Sequence, residues 1–551
     1  MNNAHKNQFD VIILGSGVGG ATLATILAKH NLNVLMVDKK SHPRYAIGES
    51  LTTHTELLLK LLSRNYSIPE FEHLSSFQNI KEHLSTSACG HKRIFGFLYH
   101  HEGEEQSSHE RIQWGTGDSS HLFRQEVDHY LVKASVSYGA KLLENINVVD
   151  LEISQHSVRI IAKNGESFTA DYLVDASGYN SILARKFNLR EYPTRFKTHS
   201  RSLFTHMINV KGTDEAIRES NGKKSDIPWK RGTTHHIFKE GWMWVIPFDN
   251  HEQSTNPVCS VGVNFNSRYL PKNGLAPEQE FQQFIMRFPS IASQFESAQT
   301  VQRWTSTDRI QYSSRTCVGE RFYILPHSSG FVDPIFSVGL SQTFLTINPL
   351  AALILQAVSE KDFSSQNFLS LASLQEKIFN YNDMIAHCTY ISFRDFNLMN
   401  AWLRVWLMQH LMPVWKLGFS QIDLFTKGYK PRSLSQLTDI KYLEDLDTQI
   451  SPWGNGYVSK AIAEMEKVEK GLISPNEAAR NIISTLNSAS WLFRAMGIGD
   501  TSQNYFDLLK SQRFNLSLLA FAFWSQIFLA KSNRPFDFTI SDFFKFRLNY
   551  A

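Results

Sequence analysis

The hydrophobic pattern opens on a six-residue apolar run, Phe9 to Leu14, too short for a helix and bounded by a glycine turn. It predicts a buried strand. An apolar helix from about Gly20 to Lys29 and a second run, Asn33 to Val37, complete a βαβ unit that Asp38 closes. The same style returns later: a helical stretch from Leu122 to Tyr138 stopped by Gly139, short strands within Leu142–Ile153 and Val158–Ile161, and a buried run from Ala170 to Gly178. Strands that alternate with helices imply a parallel sheet. Between residues 200 and 270 the pattern changes to β-rich runs with polar breaks, at Ser202–Val210, Thr233–Lys239, Trp242–Pro247 and Val258–Asn266. These predict a second, antiparallel sheet inserted into the first. The first sheet resumes at Arg321–Leu325, a long helix follows Gly339, and from about residue 366 the chain is helical and rich in aromatics.

Composition narrows this little. The 551 residues are 42% hydrophobic and 20% charged, with a net charge of +4, so nothing favours nucleic acid as a partner. Cys89, Cys259, Cys317 and Cys388 form no CxxC pair, so no metal site is expected from them. The polar start, Met1 to Gln8, lacks an apolar signal region, which makes the cytoplasm the expected location. Phe514–Ala530 is the most apolar stretch, but Asn515, Ser517, Ser525 and Gln526 interrupt it and it falls short of the roughly 20 residues that cross a bilayer. A buried helix is expected there and no transmembrane span.

The first chemistry lies in Gly15-Ser16-Gly17-Val18-Gly19-Gly20, a GxGxxG turn between strand and helix. Gly15 permits the tight turn, Gly17 lets the backbone approach a pyrophosphate, and Gly20 lets helix and strand pack closely; the helix start, through Ser16 and Val18, offers amide donors. Asp38, 23 residues after Gly15, is placed to hold ribose hydroxyls. Further motifs follow in order: Pro43-Arg44-Tyr45-Ala46-Ile47-Gly48-Glu49-Ser50, Arg124 with Asp128, Asp175-Ala176-Ser177-Gly178, Trp242-Met243-Trp244-Val245-Ile246-Pro247, and Phe331-Val332-Asp333-Pro334-Ile335-Phe336-Ser337-Val338-Gly339. The two tryptophans, spaced i and i+2, share one face of a strand.

Read as PRxxxGES, RxxxD, DAxG, WxWxIP and FxxPxxSxG, these motifs resemble those of flavin-dependent halogenases, in the phenol- and pyrrole-type branch of the FAD-dependent monooxygenase-like superfamily. The resemblance implies an α/β fold with a Rossmann-like, para-hydroxybenzoate-hydroxylase-like FAD-binding domain built from residues 1–60, 110–190 and 300–365. A substrate domain would use 61–109 and 191–299, with a helical C-terminal region over 366–551. It further implies that Arg44, Glu49, Ser50, Arg124, Asp175, Asp333 and Leu340 contact FAD and that Val338 and Gly339 contact halide. Trp242, Trp244, Ile246 and Pro247 would wall the flavin off from the substrate. Reduced FAD, oxygen and halide would then yield hypohalous acid, which a lysine delivers to an electron-rich aromatic, free or carrier-bound, in secondary metabolism.

Lys92 is the expected catalytic lysine, with Lys81 second. Lys92 and Phe97 keep the lysine–phenylalanine separation of the phenolic members, although Ile94 and Phe95 replace the glycine and alanine between them. Two other departures matter. Phe336 stands where tryptophan halogenases carry glutamate, and Pro326-His327-Ser328-Ser329-Gly330 replaces a GDAAxF-like segment whose aspartate holds the ribityl chain. Gly497-Ile498-Gly499 is read as a helix end, so no second nucleotide unit is found and a separate flavin reductase is expected to supply FADH2. A hydroxylase or reductase on the same scaffold stays open at this point.

Overall fold

A computed structural model describes residues 8–84, 88–217, 227–426 and 456–506. The expected helix at Phe514–Ala530 lies outside the described residues. Two sheets organise the chain. In the first, strand Gln8–Leu14 sits at the centre, parallel to Val34–Val37 on one side and to Ser167–Asp175 on the other. Phe322–Ile324 joins beyond Ser167–Asp175, also in parallel, and Lys141–Leu143 extends the opposite edge. Val11, Ile12 and Ile13 are fully buried, because the helix Val18–Lys29 and its neighbours cover the sheet; such strands read as unbroken apolar runs.

The second sheet runs from Ser200–Ile208 through Cys259–Asn266, Gly241–Pro247, Gly232–Phe238 and Gly90–Tyr99 to Arg111–His121. It is antiparallel except at two pairs: Gly232–Phe238 runs parallel to Gly90–Tyr99, and Tyr505–Phe506 runs parallel to Arg111–His121. The expectation of a wholly antiparallel sheet is corrected by these crossover pairings, which strand patterning does not encode. Arg111–His121 and Thr305–Arg309 also pair here, so part of the segments 110–190 and 300–365 lies in the second sheet. Alternation divides this sheet cleanly. Leu203, Met243, Val245, Val261, Val263 and Phe265 pack on the helices Pro277–Ile285 and Pro289–Phe295. The intervening Ser202, Phe204, Trp242, Trp244, Ile246 and Asn264 face inward, onto a cavity.

Helices close the other side of that cavity. Gly339–Glu360, Leu369–Ser392 and Phe396–Thr426 are joined by Tyr457–Glu469 and Pro475–Ala489 in an apolar cluster around Trp402, Leu403 and Met465. The buried Arg404 guanidinium stitches this cluster together, donating to Asn400 and to the carbonyls of Ile498 and Gln503. Gly497 caps the helix Trp491–Met496 in the left-handed conformation, as expected for a helix end. Gly339–Glu360 is long and apolar enough to cross a membrane, yet 72% of its most apolar window is buried inside the protein.

Candidate active site

The glycine turn is built by close contacts. Gly15 has φ +94°, and a Cβ at Gly20 would lie 2.0 Å from the Gly15 carbonyl oxygen, so only glycine lets the helix start this near the strand. Asp38 accepts from the Ser16 amide and hydroxyl, both at 2.9 Å, and from the Arg44 guanidinium at 2.8 Å. Burial pushes the Asp38 carboxyl up, but the Ser16 N–H, Arg44 and the Lys40 N–H outweigh it and hold the group below the usual carboxylate range. Val18, buried, begins the helix. Arg124 is bidentate on Asp128 at 2.6 and 3.0 Å and donates to the carbonyls of Ile47 and Gly48, which ties the RxxxD helix to the PRxxxGES segment. Asp175 does not face the cavity. Its carboxylate is taken by Ser177, Ser181 and the Leu183 amide, so it shapes the strand end beside Gly15 rather than contacting a ligand.

A cavity of about 270 Å³ opens between these elements. Gly48, Glu49, Ser50 and Arg124 line one side, Trp242, Trp244, Ile246 and Asn264 another, and Asp333 with Val338, Gly339 and Leu340 a third. Glu49 is anchored by His206 Nε2 at 2.7 Å and Ser50 by Thr233 at 2.9 Å. Trp244 lies flat over Gly262, where a Cβ would come within 2.0 Å of its ring. Pro247 does not line the cavity; its carbonyl bonds to His121 at 3.0 Å, because Pro247 sits at the strand end beyond the inward face. Among the described residues, both carboxamide atoms of the fully buried Asn264 and Nε2 of Gln342 have no protein partner. Open polar atoms on an otherwise aromatic wall fit the edge of a flavin.

His327 fills the place of the expected aspartate. A Cβ on Gly339 would lie 2.7 Å from its Nε2, so the ring rests on the start of the helix Gly339–Glu360. Burial, reinforced by Arg124, lowers its pKa to about 4, and the imidazole is neutral. Thr343 Oγ1 donates to the Gly339 carbonyl at 3.0 Å and lies 3.3 Å from His327 Nδ1. With the hydroxyl proton so committed, Nδ1 carries the imidazole proton and Nε2 is left as an acceptor toward the cavity, the role an aspartate oxygen would fill.

Lys92 is fully buried, whereas Lys81 is exposed on the helix Phe77–His83, where its ammonium is hydrated; Lys81 is thereby ruled out as a sequestered lysine. Lys92 Nζ donates to the Leu51 carbonyl and lies 4.6 Å from the centre of the Phe95 ring. Burial lowers its pKa to about 7, against the attraction of Glu56, and burial raises Glu56 to about 7 in turn. Lys92 lines neither cavity directly. Phe95 stacks at 5.7 Å on Trp406, which stacks at 4.2 Å on Phe336 and at 5.2 Å on His410. Trp406, Phe336 and His410 border a second cavity of about 80 Å³, shared with His54, Tyr381 and Gln409. Burial lowers His54 to about 4 and His410 to about 3, so both present neutral rings there.

Residues 99–387 match the family model described as tryptophan halogenase, and residues 13–67 match an NAD(P)-binding Rossmann-like domain. The chain is 38% identical to the monodechloroaminopyrrolnitrin halogenase of Pseudomonas fluorescens, over 95% of this chain and 93% of that protein. It is 36% identical to the tetracycline 7-halogenase of Kitasatospora aureofaciens, over 90% of each. The chain belongs to the flavin-dependent halogenase family. The crystal structure of the halogenase PltM with phloroglucinol and FAD superposes with a TM-score of 0.85 at 33% identity, covering 90% of this chain and 99% of that one.

For a flavin-dependent halogenase with FAD as its cofactor, Glu49, Ser50, Arg124, Trp242, Trp244, Ile246, Asp333, Val338, Gly339 and Leu340 gather around one cavity, whereas the glycine turn, Asp38, Arg44, Lys92, Asp175 and Pro247 do not line it. Sequence reasoning missed Glu56, Asn264, Gln342, His54 and His410. Asn264 carried a signal: it is a polar residue flanked by Val263 and Phe265 in the middle of a strand. The other four sit on helices whose packing partners are distant in sequence.

Proposed function

We propose that this chain halogenates an electron-rich aromatic substrate, free or carrier-bound, with Lys92 as the catalytic lysine. Reduced FAD, once bound, supplies with oxygen the oxidising power that turns halide into hypohalous acid. Overall, substrate ArH, halide, O2, FADH2 and one proton give ArX, FAD and two waters. Gly15, Gly17, Gly20, Ser16 and Val18 hold the cofactor's pyrophosphate, Asp38 and Arg44 its adenosine side, and His327 Nε2 accepts from its ribityl chain. Glu49, Ser50, Arg124, Asp333 and Leu340 flank the ring. The helix starting at Gly339 has no side-chain cap, so its first amides, with Val338, are free to hold halide.

The observation that carries this reading is the Lys92 ammonium, buried and turned onto Phe95, whose ring stacks on the Trp406 wall of the second cavity. A proton donor kept from water hydrogen-bonds hypohalous acid strongly and polarises the halogen toward a ring. Phe336 stacked on Trp406 gives the chamber a flat aromatic wall, and its neutral histidines with Tyr381, Asn382 and Gln409 offer uncharged polar partners, which suits a phenol, pyrrole or aniline. The relatives' names fit such rings: a tetracycline, an aminopyrrolnitrin and, at 25% identity, a carrier-bound pyrrole-2-carbonyl group. The reading places the protein in cytoplasmic secondary metabolism, served by a separate flavin reductase.

The test supplies reductase, NADH, oxygen and chloride or bromide with a panel of phenols, pyrroles and anilines. Mass spectrometry should find halogen replacing hydrogen. Products carrying only one added oxygen would make the chain a hydroxylase. Lys92→Ala should abolish halogenation while flavin oxidation continues; unchanged halogenation would remove Lys92 from the mechanism.

A further inference from the structure

The two cavities are not independent. Asp333, Val338, Gln342 and Asn382 line both, so they form the partition between the flavin side and the aromatic chamber. Asp333 is fixed on that partition by three donors: Ser200 Oγ at 2.9 Å, the Tyr390 hydroxyl at 2.9 Å and the Ile335 amide at 3.1 Å. The Tyr390 hydroxyl also accepts from the Trp242 indole N–H at 3.1 Å. One phenol on the helix Leu369–Ser392 therefore joins the first tryptophan of the sheet motif to the aspartate of the loop motif. Tyr390 itself is 7% exposed and lines neither cavity. Its geometry is that of a strut: a rigid ring with one proton to give, to Asp333, and a lone pair to accept from Trp242.

We infer that Tyr390 is a positioning residue that sets the spacing between Trp242 and Asp333, and so decides how much of the oxidised halide reaches the aromatic substrate rather than escaping. The inference rests on the halogenase reading above. Without the strut, Ser200 still ties the sheet to the loop, but the Trp242 ring loses its hydroxyl bridge to Asp333 and can shift against it. Trp242 packs at a tilt against His235 at 5.5 Å and Trp244 at 5.7 Å, contacts within the sheet that hold the ring in its wall. The Tyr390 hydroxyl takes the Trp242 indole N–H at hydrogen-bond distance, and the Asp333 carboxylate it donates to is itself stabilised by that indole. Small shifts matter here because the partition is a single layer of residues, Asp333, Val338, Gln342 and Asn382, that borders both chambers.

The experiment measures a partition ratio. Protein, flavin reductase, NADH, oxygen and bromide are supplied with the aromatic panel and an excess of taurine, a freely dissolved trap for hypobromous acid. Brominated aromatic and taurine bromamine are quantified against NADH consumed. Tyr390→Phe keeps the ring and deletes both hydrogen bonds; it should shift the ratio at least fivefold toward the trap while the flavin oxidation rate stays within twofold. Trp242→Phe severs the same strut from its other end, and should shift the ratio the same way even if Tyr390→Phe fails to fold. The double variant should leak no more than the worse single. An unchanged ratio in both variants, or product and flavin oxidation falling together at a constant ratio, overturns the inference. A wild-type protein that brominates neither aromatics nor trap removes the halogenase reading itself, and the inference with it.

Discussion

Replacing Lys92 by methionine should stabilise the fold and abolish halogenation together. The lysine's pKa falls from 10.5 to about 7 on folding, which corresponds to a penalty of about 5 kcal/mol for holding the ammonium in the protein. Because the folded-state value is the lower one, the unfolded chain binds the proton more tightly. The penalty is complete below pH 7 and fades as pH rises from 7 to 10.5. Methionine of similar length removes it, but forfeits the hydrogen bond to Leu51, about 1–3 kcal/mol, and the contact with Phe95, about 1–2 kcal/mol. Glu56, already raised to about 7, takes up its proton and remains neutral. The net gain at pH 6 is then about 0–3 kcal/mol, a melting temperature unchanged or higher by several degrees. At pH 10 the penalty has fallen to about 1 kcal/mol, and the lost contacts make the variant neutral or less stable. Thermal melts and urea unfolding of both proteins at pH 6, 8 and 10, alongside product assays, test this. A variant less stable than wild type at pH 6, or a difference that does not shrink with pH, would refute the reasoning about a buried charge.

The remaining predictions concern the cofactor, the wall and the lysine's proton. Gly20→Ala places a methyl 2.0 Å from the Gly15 carbonyl and should weaken FAD binding at least 100-fold in a fluorescence titration; a Kd within tenfold of wild type would contradict the close-approach argument. Gly262→Ala drives a methyl into the Trp244 ring, and should cost about 1–3 kcal/mol of stability while shifting tryptophan fluorescence. His327→Ala removes one acceptor and should raise the FAD Kd about tenfold, with partial recovery in His327→Asp. Halogenated product per flavin oxidised should fall as pH rises through about 7, because Lys92 then loses the proton it donates. A rise over the same range would assign the chemistry to the neutral amine.

Much of this protein was determined by local sequence. The strand, glycine turn, helix and Asp38 depend on neighbours within one βαβ unit, where periodicity and backbone sterics suffice, and all formed as read. The shared face of Trp242 and Trp244 follows from strand alternation alone. Lys92 shows where local rules end. Strict alternation would place it with Ile94, whose side packs on Leu98 and Trp229, but the pairing with Arg111–His121 shifts register between Lys92 and Ile94, and the ammonium lies over Phe95 instead. Such a re-aimed side chain is a property of two strands, not one. The Asp175 carboxylate is taken by the turn that follows it, through Ser177 and Ser181, and the Pro247 carbonyl is bonded by His121 from a distant strand. The Trp242–Tyr390–Asp333 strut joins a strand, a helix and a loop far apart in the chain. No periodicity records it, because a hydrogen bond between distant segments exists only once packing has brought their polar atoms within about 3 Å.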